Sequence, residues 1–114
     1  MEQLAPSEGA TLRDMGAVAA VKTSQAGILT RAVVVNAQAV AGFLQLFDVA
    51  TAGAVTLGTT VPTWEFGFAA SVSVDVPLPP GGLKFRNGLQ AASTTGEKGA
   101  AASAAGVQGF FGLY

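Results

Sequence analysis

Cysteine and histidine are both absent from this 114-residue chain. Without cysteine there is no disulfide framework and no thiol nucleophile, and the redox compartment is left open. Without histidine the usual proton-shuttling arrangements of nucleophilic catalysis are excluded, and transition metals lose their commonest nitrogen ligand. Charge is the next shortage: only 11% of residues are Asp, Glu, Lys or Arg, where a soluble domain averages about 25%. Net charge is −1, and the six basic residues are scattered from Arg13 to Lys98. That scatter gives no electrostatic footprint for a phosphate backbone, so nucleic-acid binding is not expected.

Other familiar signals are missing as well. Neither GxGxxG nor GxxxxGK occurs, so the glycines read as turn residues and no nucleotide or other cofactor is expected. The opening MEQLAPSEGATLRD carries acids and a proline where a secretory leader has a basic start and an apolar centre. No uncharged run reaches the roughly 20 apolar residues that cross a bilayer as a helix, so no membrane segment is expected. The seven acids, Glu2, Glu8, Asp14, Asp48, Glu65, Asp75 and Glu97, stand apart in sequence. Folding could bring Asp48 and Glu65 together as a glycosidase-like pair, but solvated acids are the plainer reading. No catalysis is expected.

Half of the residues are apolar, and many of them are alanine. The excess of uncharged surface is therefore the anomaly, and surfaces sparing in charge are commonly those that subunits bury against one another. At this length one domain is expected, burying about two-thirds of its unfolded surface.

The densest apolar stretch is Gly27 to Asp48, GILTRAVVVNAQAVAGFLQLFD, which reads as a central β-hairpin. In the first arm Ile28, Ala32 and Val34 alternate with Leu29, Val33 and Val35. In the second, Phe43 and Phe47 share a face with Gln45, while Leu44 and Leu46 take the other. Neither arm has a polar face, so both demand cover on two sides. Asn36 to Gly42 is the connection, with Gly42 suited to a positive φ. Met15 to Thr23 alternates weakly as a strand. Val49 to Pro62 reads as loops with a brief strand at Ala54 to Leu57.

Thr63 to Phe68 sets Trp64, Phe66 and Phe68 on one face. Ser71 to Leu78 alternates most cleanly, with Val72, Val74, Val76 and Leu78 inward and Pro77 marking a sheet edge or the point where the strand runs out of the ladder. Leu83 to Arg86 alternates again, and Asn87-Gly88 signals a hairpin or a bulge within one longer strand. Residues 94–106 are Ala- and Gly-rich and read as a long surface loop. The last 16 residues carry no charge, so Phe110, Phe111, Leu113 and Tyr114 must be tucked in as a strand or against a partner. The whole describes an all-β sandwich or jelly roll of about seven or eight short antiparallel strands, with residues 1–13 as an arm and 14–114 as the domain.

The aromatic row Trp64, Phe66, Phe68 has two readings. Core is the commoner one, because such rings bury large areas; a platform on which Trp64 stacks sugar rings is the sharper one. Lys84 and Arg86 read as a solvated strand face that could meet an acidic partner.

The segments VVNAQAVAGFLQLFDVATAGAVTLGTTVP (34–62) and GLKFRNGLQAASTTGE (82–97) resemble a recurring type of small virion protein of tailed bacteriophages. The shared features are an asparagine ending one strand, an FLQLFD-like strand, a GTTVP-like turn and a late FxNGLxxAxTT segment. The resemblance implies a structural component of the particle. That component would be a decoration or cement protein of the head, or a fibre, spike or collar element. It implies the major capsid protein or another virion protein as partner, self-assembly into a homo-oligomer, and a place in virions assembled in the host cytoplasm. Phe43, Phe47, Lys84, Arg86, Phe110, Phe111 and Tyr114 are then the expected contact residues. A carbohydrate-binding adhesion module built on Trp64 is the alternative.

Overall fold

The computed structural model describes residues 8–13, 15–95 and 107–114. Among them are nine strands: β1 (Glu8–Leu12), β2 (Ala19–Lys22), β3 (Gly27–Asn36), β4 (Gly42–Phe47), β5 (Trp64–Phe68), β6 (Val72–Asp75), β7 (Leu83–Phe85), β8 (Leu89–Thr94) and β9 (Val107–Leu113). They form two antiparallel sheets packed as a sandwich. One has the order β1-β9-β3-β6, with β7 also paired to the start of β3; the other has the order β2-β8-β4-β5. No α-helix occurs among the described residues.

The core lies between the sheets. Leu29, Ala32, Val34, Val107, Phe111 and Leu113 point inward from the five-stranded sheet, and Val21, Leu44, Leu46, Phe68, Leu89 and Ala91 from the four-stranded one. Met15 is fully buried among them. Its N–H donates to Val107 O and its carbonyl accepts from Ser93 N–H, which ties one strand of each sheet to the other. A side chain at Gly109 would place its Cβ 2.7 Å from the Met15 sulfur, so glycine is the residue that fits beneath this plug.

β3 and β4 do not form a hairpin. β3 pairs with β6, β7 and β9, and β4 with β5 and β8, so the Asn36–Gly42 connection crosses from sheet to sheet. Two-sided strands satisfy a sandwich as well as a hairpin does, and alternation cannot tell the two apart. The alternation of β3 is also interrupted: the register with β9 slips between Leu29 and Arg31. This irregularity puts Leu29 on the same side as Ala32 and Val34, where simple counting places it opposite.

Gly42 does not have a positive φ. Glycine is needed there because a Cβ would lie 2.7 Å from the Phe68 ring. Asn87-Gly88 makes neither a hairpin nor a bulge, but carries the chain from β7 in one sheet to β8 in the other. Gly88 has φ +150, and a Cβ on it would meet Val49 O at 2.6 Å and Lys22 O at 2.8 Å. Residues Ala52–Ala54 form a short 3-10 turn, and no strand occurs at 54–57. The arm expected at 1–13 contains the edge strand β1, paired along its length with β9. Residues 1–7 and most of the expected 94–106 loop lie outside the described residues; Thr94 itself ends β8.

Candidate functional site

The outer faces of the two sheets differ, and the difference defines the candidate site. On the four-stranded sheet, β4 and β8 are covered on both sides. Leu44, Leu46, Leu89 and Ala91 face the core, while Gln45, Phe47, Gln90, Ala92 and Thr94 face away from it and are buried too. The polar members are held internally. Gln45 Nε2 donates to Thr94 Oγ1 at 2.9 Å, and Gln90 Nε2 donates to Val49 O and Lys22 O at 3.0 and 3.3 Å. Through its Nε2 the Gln90 side chain ties two connections down onto the sheet.

Among the described residues, the five-stranded sheet has no such cover over its middle. Register places its outward residues in three rows across the strands. Gly9, Gly112 and Arg31 make the first row; Thr11, Phe110, Val33 and Asp75 the second; Gln108, Val35 and Ser73 the third. Phe110 is 39% exposed. Because Gly9 and Gly112 have no side chains, the first row is a hollow beside the ridge of Phe110 and Val33. The resulting groove is open, predominantly apolar and about 420 Å³ in volume. Arg31 stands at its rim with Nη2 3.5 Å from Asp75 Oδ1, the two side chains 68% and 73% exposed. An exposed pair of this kind contributes little to stability.

Of the expected contact residues, Lys84, Arg86, Phe110 and Tyr114 are exposed and Phe43 is half-buried. Phe43 lies over Gly67 on the outer side of the four-stranded sheet. Two expectations are corrected. Phe47 is 1% exposed and Phe111 3%, so neither ring is available to a partner. Phe111 faces the core because it follows outward-facing Phe110 in a regular strand, and Phe47 is sealed with the outer layer of its sheet. Trp64 also differs from a sugar platform. With Phe66 and Phe68 it packs inward against the core, and its indole N–H donates to Pro77 O at 3.2 Å. The ring is thus half-buried and tethered at the sheet edge.

Asp48 and Glu65 hold different places in the fold. The Asp48 carboxylate accepts from Arg86 N–H at 3.0 and 3.1 Å and from Asn87 N–H at 2.9 Å. It therefore clamps the β7–β8 corner, which presents Arg86 outward. Glu65 sits opposite Gln45 on β5. No group of three or more metal-ligating side chains occurs among the described residues.

Sequence reasoning missed Arg31, Val33, Val35 and Asp75 as members of one surface. Their alternation was legible, but which strands lie beside β3 was not. It also undervalued Asn36, whose buried amide donates to Val40 O and Ala69 O and accepts from Gln38 N–H, all within 3.0 Å. One side chain thus pins the crossing between the sheets to the β5–β6 loop. Comparison with protein-family models, curated proteins and solved structures finds no match to this chain.

Proposed function

We propose that this chain is a non-enzymatic structural protein of a tailed-bacteriophage particle, a decoration or cement protein that binds the major capsid protein and stabilises the head shell. The observation that carries the reading is the open outer face of the five-stranded sheet. It is apolar in its middle, with one exposed Arg31–Asp75 pair at its rim, while in the other sheet the strands β4 and β8 are buried on both faces apart from half-buried Phe43. Burying such a surface between neighbours stabilises an assembly by roughly 25 cal/mol per Å² of apolar area before association costs are met.

Two further features support it. The sequence resemblance points to virion structural proteins, and the strand orders β1-β9-β3-β6/β7 and β2-β8-β4-β5 are compatible with the two-sheet winding of a jelly roll. Viral capsid and lectin domains share that winding, so the support is by analogy of fold. The half-buried packing of Trp64 against the core favours the capsid side of the analogy over the lectin side. A fibre, spike or collar position would use the same surface on a different virion partner.

The test is sedimentation of purified full-length chain with phage heads that lack it. Saturable co-pelleting and greater resistance of the heads to heat support the reading. A chain that stays in the supernatant, or whose Trp64 fluorescence responds to oligosaccharides, contradicts it.

A further inference from the structure

We infer that the outer face of the five-stranded sheet pairs with the same face of a second copy, about a two-fold axis lying in the interface and running across the strands. The inference rests on the reading of this face as a contact surface and specifies its first neighbour.

The register makes the face self-complementary. Let the axis run between the row Gly9–Gly112–Arg31 and the row Thr11–Phe110–Val33–Asp75. The rotation then lays each row over the other row of the second copy while keeping every strand over itself, antiparallel. Phe110 of one chain falls on Gly112 of the other, a ring into the position that has no side chain. Thr11 falls on Gly9. Arg31 falls on Val33, whose neighbour in the row is Asp75, so each guanidinium reaches a carboxylate of the other chain. A two-fold contact must match a patch to itself, and here ridge meets hollow and cation meets anion in one operation. Strands of stacked sheets align within about 30°, so the antiparallel stack is an ordinary packing geometry.

Size sets the strength. Four strands about 4.8 Å apart and the two matched rows about 7 Å apart make a footprint of roughly 270 Å² per chain. Both partners together bury on the order of 500–600 Å², below the 1,200–2,000 Å² of a stable complex. The pairing is therefore weak and concentration-dependent, and it gains force only when many copies are held on one scaffold.

Charge reversal in separate chains tests it. Arg31→Asp carries two acids on the face and Asp75→Arg two bases, and both positions are exposed enough to leave folding intact. Sedimentation velocity of the full chain up to roughly millimolar concentration should show reversible dimers for the wild type. Each variant alone should associate at least about tenfold more weakly, since attraction has become repulsion on both sides of the axis. An equimolar mixture of the two variants should dimerise again, because the doubly acidic face of one then meets the doubly basic face of the other at both symmetry-related contacts. Gly9→Val places a Cβ no nearer than 3.6 Å to its own chain and should also abolish dimers by filling the hollow. A wild type that stays monomeric, variants that dimerise unchanged, or a mixture that does not recover overturns the pairing. A monomer that still pellets with phage heads would overturn it while leaving the virion reading standing.

Discussion

The two sheets begin from the same difficulty and resolve it in opposite ways. β3 and β4 are both apolar on two faces, and each needs something on its outer side. Around β4 the chain supplies the cover itself: Phe47, Gln45 and Gln90 are sealed, and the amide of Gln90 holds the carbonyls of Lys22 and Val49. Around β3 it does not, and Val33, Val35 and Phe110 stay partly in water. The difference teaches that an excess of hydrophobic strand is by itself no evidence of an interface. Only the sheet whose outer layer remains open is a candidate.

The largest test of that contrast sets one phenylalanine against another. Phe47→Ala should destabilise the fold by about 3–5 kcal/mol, as for a fully enclosed ring, whereas Phe110→Ala should cost about 1 kcal/mol because much of the ring is already solvated. Denaturant midpoints measure both, and equal losses would erase the distinction between the sheets. Asn36→Ala comes next, at about 2–3 kcal/mol, since it removes three hydrogen bonds and strands two carbonyl oxygens at the crossing from one sheet to the other.

Gly88→Ala should cost about 2 kcal/mol at the second crossing, where φ is positive and two carbonyl oxygens crowd the Cβ position. Asp48→Ala, which unclamps the same corner, should cost about 1–2 kcal/mol. Thermal melts with intact circular dichroism separate these losses from unfolding. Arg31→Ala should be smallest, within about 0.5 kcal/mol on stability, yet it should weaken self-association measurably. That split between stability and association is what an interface charge on the open sheet predicts.

How much of this was legible in the sequence follows from how local each signal is. The inward row Val72, Val74, Val76 and Leu78, the edge marked by Pro77 and the inward aromatic row from Trp64 to Phe68 were all readable, because period-two alternation is a property of a single strand. Partnership was not readable. Asn87-Gly88 has hairpin chemistry, but its two flanking strands belong to different sheets, and no local residue says so. β1 was hidden because EGATL has weak strand propensity and becomes a strand only by pairing with β9. The candidate surface was hidden for the same reason: it draws on four strands scattered from Gly9 to Gly112, aligned by register alone.

The most direct test of the open face as a contact surface is co-sedimentation with phage heads of wild-type chain and Phe110→Asp, each checked for a native melt. The wild type should pellet saturably and the variant should remain in the supernatant. Equal pelleting of the two, or of neither, would contradict the account.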